Sequence, residues 1–244
     1  MIAKGKSYDF LKNIRGEKRG GATARVVEAL RSAIVMHAFE PGAVLDKARL
    51  CERLGVSRFP VSEALARLQA QGLVEIQPQR GTTVSLIRLS DVRENMFLRK
   101  ALEAEAVRSL ARTIDDETLA ALDGNLTAQK RAAAGSDKQS FHALDLAFHD
   151  MLLTALGFPR VKAAAESARL ALDRVRLLLA SPRRNTETVE EHERILTALA
   201  GRDGAGAALA MGDHLDRVMT ELMSFARREP ELFTDWQDWK TDGM

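Results

Sequence analysis

The strongest constraint on the fold comes from two short helical segments joined by a tight turn. Lys47–Leu54 has helical spacing, begins after a capping residue, Asp46, and ends at Gly55, because glycine accepts the left-handed backbone that closes a helix. A second segment, Phe59–Gln71, follows directly. Pro60 is tolerated in its first turn, since the amides there have no partner within the helix. We therefore predict two helices that pack closely across the turn.

A further helix and a hairpin flank this pair. Ala22–His37 carries apolar residues at helical spacing, which predicts a first helix. Two short β-like runs, Leu73–Gln77 and Thr82–Ile87, enclose a Pro-Gln-Arg-Gly turn and predict a hairpin. Three short helices followed by a hairpin indicate a winged helix-turn-helix, in which the third helix enters the major groove of DNA by its N-terminal residues.

The residues expected to contact DNA lie at the ends of these elements. Ser57 is expected to cap the third helix and to meet a phosphate there, and Arg58 to reach a phosphate or a guanine edge. The wing is expected to contact DNA through its tip, Arg80 and Gly81. At the start of the second helix we expect phosphate contacts from Lys47 and Arg49, for which a solvated helix face is the alternative.

Charge is divided unevenly along the chain. Residues 1–85 hold 14 Lys/Arg and 8 Asp/Glu, whereas the remainder holds 22 and 26. A basic first third favours a polyanionic partner, although scattered charges on two solvated surfaces give the same totals. Residues 1–20 are rich in lysine, arginine and glycine and are predicted to form a loose basic arm. A single cysteine, no signal peptide and no apolar run of about 18–20 residues predict a cytoplasmic chain without a membrane segment.

Beyond Ser90 the pattern is helical throughout. Amphipathic helices are predicted near 91–112, 115–134, 137–156, 159–181, 184–201 and 204–228. The tail, 229–244, holds both tryptophans, Trp236 and Trp239, and is expected to pack on a neighbouring surface. The predicted fold class is therefore mainly α: a winged helix-turn-helix over 21–88, followed by an all-α helical bundle over 91–228.

Three histidines and one aspartate point inward from this bundle. Asp145 and His149 lie four positions apart at the edge of an apolar stripe, and His192 and His214 each fall in line with apolar residues. A buried carboxylate needs a partner, and a divalent cation held by Asp and His meets that need. Core histidines held by hydrogen bonds, without a metal, are the alternative that the spacing leaves open.

The segment from Leu30 to Val84 closely resembles the DNA-binding domain of the GntR family of bacterial transcriptional regulators. The matching elements include Pro41-Gly42, Leu54-Gly55-Val56-Ser57-Arg58, Pro60-Val61, Glu63-Ala64-Leu65, Gly72-Leu73 and Arg80-Gly81. The resemblance implies that Arg58 touches the operator. The family commonly has threonine where Phe59 stands and arginine where Ser62 stands. Because that arginine usually contacts DNA, Ser62 implies altered base reading at its position.

Residues 91–228 resemble the FCD subfamily, which is named for its fatty-acid-regulator-like C-terminal domain. The shared pattern is Asp-x-x-x-His, then Glu-His-x-x-Ile-Leu, then a His-Leu pair in the last helix. Many such domains hold Zn²⁺, Ni²⁺ or Mn²⁺ through an Asp and three His, which match Asp145, His149, His192 and His214. His142, on the same face as Asp145, lies outside the family motif.

In this subfamily the metal is often a platform for a small carboxylate effector, and an arginine matched by Arg99 meets that effector. Pairing of Arg99 with Glu103 is the alternative. The resemblance therefore implies a homodimeric repressor that binds a near-palindromic DNA operator and responds to a small organic carboxylate. The rival interpretation is a constitutive DNA-binding protein with a purely structural cluster. An enzyme is disfavoured, because the Glu-x-x-His pairs of di-iron bundles are missing and no general base is marked.

Overall fold

The chain folds into two compact units. The computed structural model describes residues 8–15, 21–79, 81–135, 137–170, 172–179 and 181–237. The first unit comprises Met1–Ile87 with Glu231–Thr234, and the second comprises Arg88–Pro230 with Asp235–Met244. We call them the headpiece and the helical unit. Among the described residues, no helix has the length and apolar character that crossing a membrane requires.

The headpiece contains the predicted helices and hairpin, together with one strand that was not predicted. Its elements are α1 (Ala22–Val35), β1 (Val44–Leu45), α2 (Lys47–Leu54), α3 (Arg58–Ala70), β2 (Val74–Gln77) and β3 (Gly81–Val84). The sheet is antiparallel with strand order β1-β3-β2. The two residues of β1 are too few to show an alternating pattern, so only their pairing with β3 reveals the strand.

The helix-turn-helix is built as the sequence predicts. Asp46 caps α2 by accepting hydrogen bonds from the backbone amides of Ala48 and Arg49, and Gly55 closes the helix at a left-handed φ of +69°. Four apolar residues on one face of α3 are fully buried: Val61, Ala64, Leu65 and Leu68. Their burial anchors α3 and leaves its opposite face exposed.

The described part of the predicted loose arm packs on α2. Leu11 and Ile14 are buried in the headpiece core, and the Ile14 amide donates to the carbonyl of Leu54 over 3.1 Å. The Arg53 guanidinium donates to three backbone carbonyls of residues 8–11. Residues 8–15 are therefore part of the headpiece, because two apolar side chains three positions apart give them a buried side. Residues 1–7 and 16–20 lie outside the described residues.

Within its described residues, the helical unit contains one more helix than predicted. Its helices are α4 (Leu89–Leu110), α5 (Asp116–Ala134), α6 (Lys138–Leu156), α7 (Pro159–Leu170), α8 (Asp173–Leu179), α9 (Pro182–Ala200) and α10 (Gly204–Arg228), followed by a 3-10 turn at Pro230–Leu232. The single helix predicted over 159–181 was wrong, since α7 and α8 are separate. Neither glycine nor proline stands between them, so composition carries no signal of the break.

The helices of this unit pack against one another along the bundle. α4 packs against α10, α6 and α7, while α5 packs against α6 and α9, and α9 against α10. The arrangement confirms the predicted fold class, a winged helix-turn-helix followed by an all-α bundle. In the tail, Trp236 is buried, whereas Trp239 lies outside the described residues.

Candidate metal centre and DNA-binding surface

Four residues from three helices bring their ligand atoms together in the core of the helical unit. Asp145 and His149 lie on α6, His192 on α9 and His214 on α10, and all four are buried. One potential ligand atom from each lies within 4.8 Å of the others. The helical spacing predicted an inward face for each of them, and the packing of α6, α9 and α10 makes the faces meet. His142, one turn before Asp145 on α6, is not a member of this group.

His149 is held by a charged pair from α4. Its Nδ1–H donates to Glu103 Oε2 over 2.6 Å, and the other oxygen of that carboxylate accepts from Arg99 Nε over 2.6 Å. Burial raises the pKa of Glu103, but the nearby Arg99 and His149 outweigh it and hold the pKa well below its usual range. Glu103 is therefore a carboxylate, and His149 presents Nε2 to the cluster. Nε2 makes no hydrogen bond within the described part of the chain.

His192 is held by a neutral amide. Its Nδ1–H donates to Gln129 Oε1 over 2.9 Å, and the Gln129 amide in turn donates to Asn125 Oδ1 over 2.7 Å. The imidazole stacks on the ring of Phe148, with centroids 4.2 Å apart and planes 11° from parallel. These contacts orient His192 so that its Nε2 lies 3.7 Å from Asp145 Oδ1.

His214 is held by a second charged pair. Its Nδ1–H donates to Glu191 Oε2 over 2.7 Å, and Arg184 donates to both oxygens of that carboxylate over 2.8 Å each. Planar two-point pairing of this kind is the strong form of an Arg–carboxylate contact. Both partners lie on α9 and are buried, so the pair fixes the imidazole from the neighbouring helix.

All three imidazoles thus use Nδ1 for an anchoring hydrogen bond, so Nε2 is the ring atom that each can offer to the cluster. This is how metal-ligating histidines are oriented, because an acceptor behind the ring fixes both its tautomer and its direction. The donor set, three neutral nitrogens and one carboxylate oxygen, suits a divalent transition ion. The anchoring residues Glu103, Gln129 and Glu191 were not identified from the sequence as part of the site.

Arg99, which the resemblance places at the effector, lies in this network. The residue is fully buried, and its Nε forms the bond to Glu103 that sequence analysis held as the alternative. Arg99 is therefore linked to His149 through the Glu103 carboxylate, on the α4 side of the cluster.

The predicted DNA contacts of the headpiece lie at its surface. Lys47, Arg49, Ser57, Arg58 and Ser62 are exposed, as is Gly81, which has a φ of +101° at the start of β3. Arg80 lies outside the described residues. Apart from Gly81, the exposed members come from the start of α2 and the first turns of α3, the ends that a helix-turn-helix presents to DNA.

Ser57 corrects one expectation. It occupies the N-cap position of α3 with an extended backbone, but its side chain makes no capping hydrogen bond. The hydroxyl was predicted to cap the helix, and that prediction was wrong. Pro60 in the first turn has no amide hydrogen to offer, which removes one of the donors that a cap could satisfy. The Ser57 hydroxyl is therefore not committed to an α3 amide.

Comparison with known proteins agrees with both units. Residues 22–84 match the model of the gntR family of bacterial regulatory proteins, and residues 94–217 match the FCD domain. The HTH-type transcriptional repressor RspR of Escherichia coli is 30% identical over 212 residues, which cover 86% of this chain and 93% of that protein. A transcriptional regulator from an unstable DNA locus of Streptomyces ambofaciens is 33% identical over 205 residues, covering 84% of this chain and 86% of its own.

A solved structure shares the fold. McbR/YncC of E. coli superposes with a TM-score of 0.71 at 23% identity, covering 84% of this chain and 98% of that chain. The sequence relatives are regulators that act on transcription, not enzymes. Two family models in the expected order and relatives similar along most of their length lead to one conclusion: the chain is a DNA-binding transcriptional regulator of the GntR family with an FCD domain.

Proposed function

We propose that the chain is a homodimeric repressor that leaves its operator when a small organic carboxylate binds at a metal centre in the helical unit. The observation that carries the effector part is the convergence of Asp145, His149, His192 and His214 with each imidazole anchored through Nδ1. The similarity to a protein named as a repressor supports the direction of regulation. A dimer follows from the geometry of helix-turn-helix proteins, which read two half-sites related by twofold symmetry.

The charges around the cluster favour an anionic effector. Two of the nearby carboxylates, Glu103 and Glu191, are matched by Arg99 and Arg184, and Asp145 contributes a carboxylate to the candidate ligand set. A divalent ion bound by these residues would supply a net positive charge and coordination positions beyond the four protein ligands. A carboxylate suits both, since it is an anion and an oxygen ligand.

Arg99 is the proposed second contact of the effector. Its guanidinium carries five N–H donors, and the donor at Nε binds Glu103. The same bond ties Arg99 to His149 through the Glu103 carboxylate. Ligand binding at Arg99 and at the cluster would therefore be felt by the same side chains.

The space beside the cluster is small. A cavity of about 10 Å³ lies against His149 and Glu103, with Ala165, Glu166 and Arg169 of α7 on its far side. That volume holds about one water molecule. An effector of several carbon atoms needs more room, and we propose that α7 moves to provide it. Binding would then favour a second arrangement of the helical unit, which is what a ligand must do to change the affinity for DNA.

Measuring the metal content tests whether the cluster of Asp145 and the three histidines binds a metal. Untagged wild-type protein should hold about one equivalent of Zn²⁺, Ni²⁺ or Mn²⁺ per chain, and His192→Ala should lose it. His142→Ala is the matched control, because it removes an imidazole from α6 outside the cluster and should retain the metal. Metal-free protein after incubation with each ion would contradict the proposal and favour a structural cluster in a constitutive DNA-binding protein.

A carboxylate panel tests the effector. Hydroxy acids, sugar acids and dicarboxylates are added to the metal-loaded protein on its operator, and the Kd for DNA is measured by anisotropy. At least one should weaken binding about 5- to 150-fold, the usual range of allosteric coupling, and Arg99→Met should abolish the response. An unchanged Kd with every carboxylate would contradict the effector proposal and leave DNA binding untouched.

A further inference from the structure

An exposed aromatic side chain stands on the outer face of α3. Phe59 is 73% exposed and follows Arg58 in the first turn of the helix. Ser62, Glu63 and Ala66 lie three, four and seven positions further along, so they share the face of Phe59, and all three are exposed. A phenyl ring left in water contributes nothing to folding stability, since burial is what makes an apolar side chain stabilising.

The headpiece core does not need this ring. α3 fills the core with its opposite face, where Val61, Ala64, Leu65 and Leu68 are all fully buried. Single exposed apolar residues are common on protein surfaces, so exposure alone assigns no role. Phe59, however, stands in the part of the helix that meets base edges when a helix-turn-helix binds DNA.

The neighbours of Phe59 turn its face toward bases and away from phosphates. The side chains of Ser62 and Ala66 are short, so the ring is the tallest apolar group on this face. Glu63 carries a carboxylate, which phosphate oxygens repel, and carboxylates in the major groove accept from the amino group of cytosine. Arg58 and Arg67 are exposed cations that flank this face on its two sides. The phosphate contacts therefore fall to the residues around the face, and Phe59 is left among the base edges.

We propose that Phe59 is a specificity-determining residue whose ring packs on the C5-methyl group of a thymine in each half-site of the operator. That methyl is the apolar group that base pairs present in the major groove, and phenylalanine is among the side chains that contact it. The inference rests on the proposed function in that α3 is the helix that reads the operator.

Replacing thymine by uracil tests the contact directly, because the two bases differ only by the methyl group. A high-affinity operator is first selected from a random duplex library with the full metal-loaded chain. Each thymine is then replaced by uracil in both half-sites, and Kd is measured for wild type and Phe59→Ala. At one position, uracil should weaken wild type about fourfold per half-site, or roughly 15-fold for both, from the transfer free energy of one buried methyl. Phe59→Ala should bind the two operators equally, within about twofold.

Phe97→Ala is the matched control, because Phe97 is equally exposed, at 73%, but lies on α4 of the helical unit. It should keep the full preference for thymine over uracil. The salt dependence separates the ring from a charged contact. Phe59→Ala should leave the slope of log Kd against log salt unchanged, whereas Arg58→Ala should lower its magnitude by about one if Arg58 meets a phosphate.

Two pairs of results would overturn the inference. The first pair concerns the methyl contact: if no uracil substitution weakens DNA binding by wild type, or if Phe59→Ala keeps the wild-type preference for thymine, then Phe59 does not read a thymine methyl. If Arg58→Ala and Ser62→Glu bind the operator as tightly as wild type, then α3 does not face DNA and the proposed reading helix itself is wrong. The first pair of results leaves the proposed function standing, and the second does not.

Discussion

Each histidine of the cluster depends on the acceptor that lies behind it. His192 is the informative case, since its acceptor Gln129 is neutral whereas those of His149 and His214 are charged. At such sites, large losses of stability come mainly from a buried charge that has lost its partner. Replacing a neutral acceptor leaves no such charge. The role of the anchor can therefore be measured apart from the stability of the fold.

We predict that Gln129→Leu weakens metal binding about 10- to 100-fold, the usual effect of losing a residue that orients a ligand. Gln129→Glu keeps an acceptor at the same place and should bind metal within about tenfold of wild type. The dissociation constants are measured by competition with a chelator. Equal Kd values for Gln129→Leu and wild type would show that the Gln129 hydrogen bond does not orient a ligand.

The four candidate ligands could be predicted from the sequence, but the residues that anchor them could not. Asp145 and His149 could be paired from their spacing of four on one helix. Gln129 lies on α5, 63 positions before His192, and no local pattern marks a residue that becomes a neighbour only when α5 packs on α9. Glu103 was visible as a partner of Arg99, four positions along α4, but its second bond to His149 depends on the packing of α4 on α6.

At the scale of elements, the start of α3 holds a residue, Ser57, whose contribution to folding stability can be measured separately from its contribution to DNA binding. Ser57 is the N-cap residue by position, yet its side chain makes no capping hydrogen bond. We predict that Ser57→Ala changes the free energy of unfolding by less than about 0.5 kcal/mol, unlike a true cap, whose loss costs about 1 kcal/mol. If the hydroxyl meets a phosphate, the same variant should weaken operator binding severalfold. Denaturant titration and anisotropy on one preparation check both. A large loss of stability would contradict the observed geometry.

The start of α4, unlike that of α3, has a side chain that accepts hydrogen bonds from its first amides, and this side chain comes from a residue distant in sequence. Asp235 accepts from the backbone amides of Leu89 and Ser90 over 2.7 and 2.9 Å. Burial raises the pKa of this carboxyl, but the hydrogen bonds from the two amides outweigh burial and hold the pKa below its usual range. Because the pKa is lowered in the folded chain, the stabilising contribution is complete above about pH 5 and is lost as the pH falls through the folded-state pKa.

We predict that Asp235→Asn lowers the free energy of unfolding at pH 7 by about 1 kcal/mol, a typical capping contribution. The difference between wild type and variant should shrink as the pH is lowered from 5 toward 3, because the wild-type carboxyl then becomes neutral as well. Urea titrations at a series of pH values measure this difference. A difference that stays constant with pH would mean that the charge of Asp235 does not contribute.

Element boundaries were predictable where a residue with special backbone behaviour marks them. Asp46, Asp115, Ser181 and Asp203 cap the helices that follow them, because a short polar side chain satisfies an amide that the helix leaves open. The break between α7 and α8 has no such marker. The apolar pattern continues across it, so a single helix was the natural prediction.

At the scale of the whole molecule, the two units should respond differently to metal. The four candidate ligands all lie in the helical unit, so a metal bound there would stabilise that unit, and not the headpiece, by mass action. We predict that metal at 100 times its Kd raises the unfolding free energy of the helical unit by about 2.7 kcal/mol. In a calorimetric scan, the transition of the helical unit should move upward with metal concentration, while the headpiece transition stays in place.

His192→Ala should abolish this shift and His142→Ala should preserve it, because the first removes a candidate ligand and the second an imidazole of the same helix as Asp145 outside the cluster. Both unfolding transitions are followed by calorimetry in the full chain. A metal-dependent shift in His192→Ala equal to that of wild type would place the metal elsewhere.

Binding in the helical unit can influence DNA only if the two units communicate. Operator Kd values with and without metal, measured on the same two variants, show whether occupancy of the cluster reaches the surface of α3.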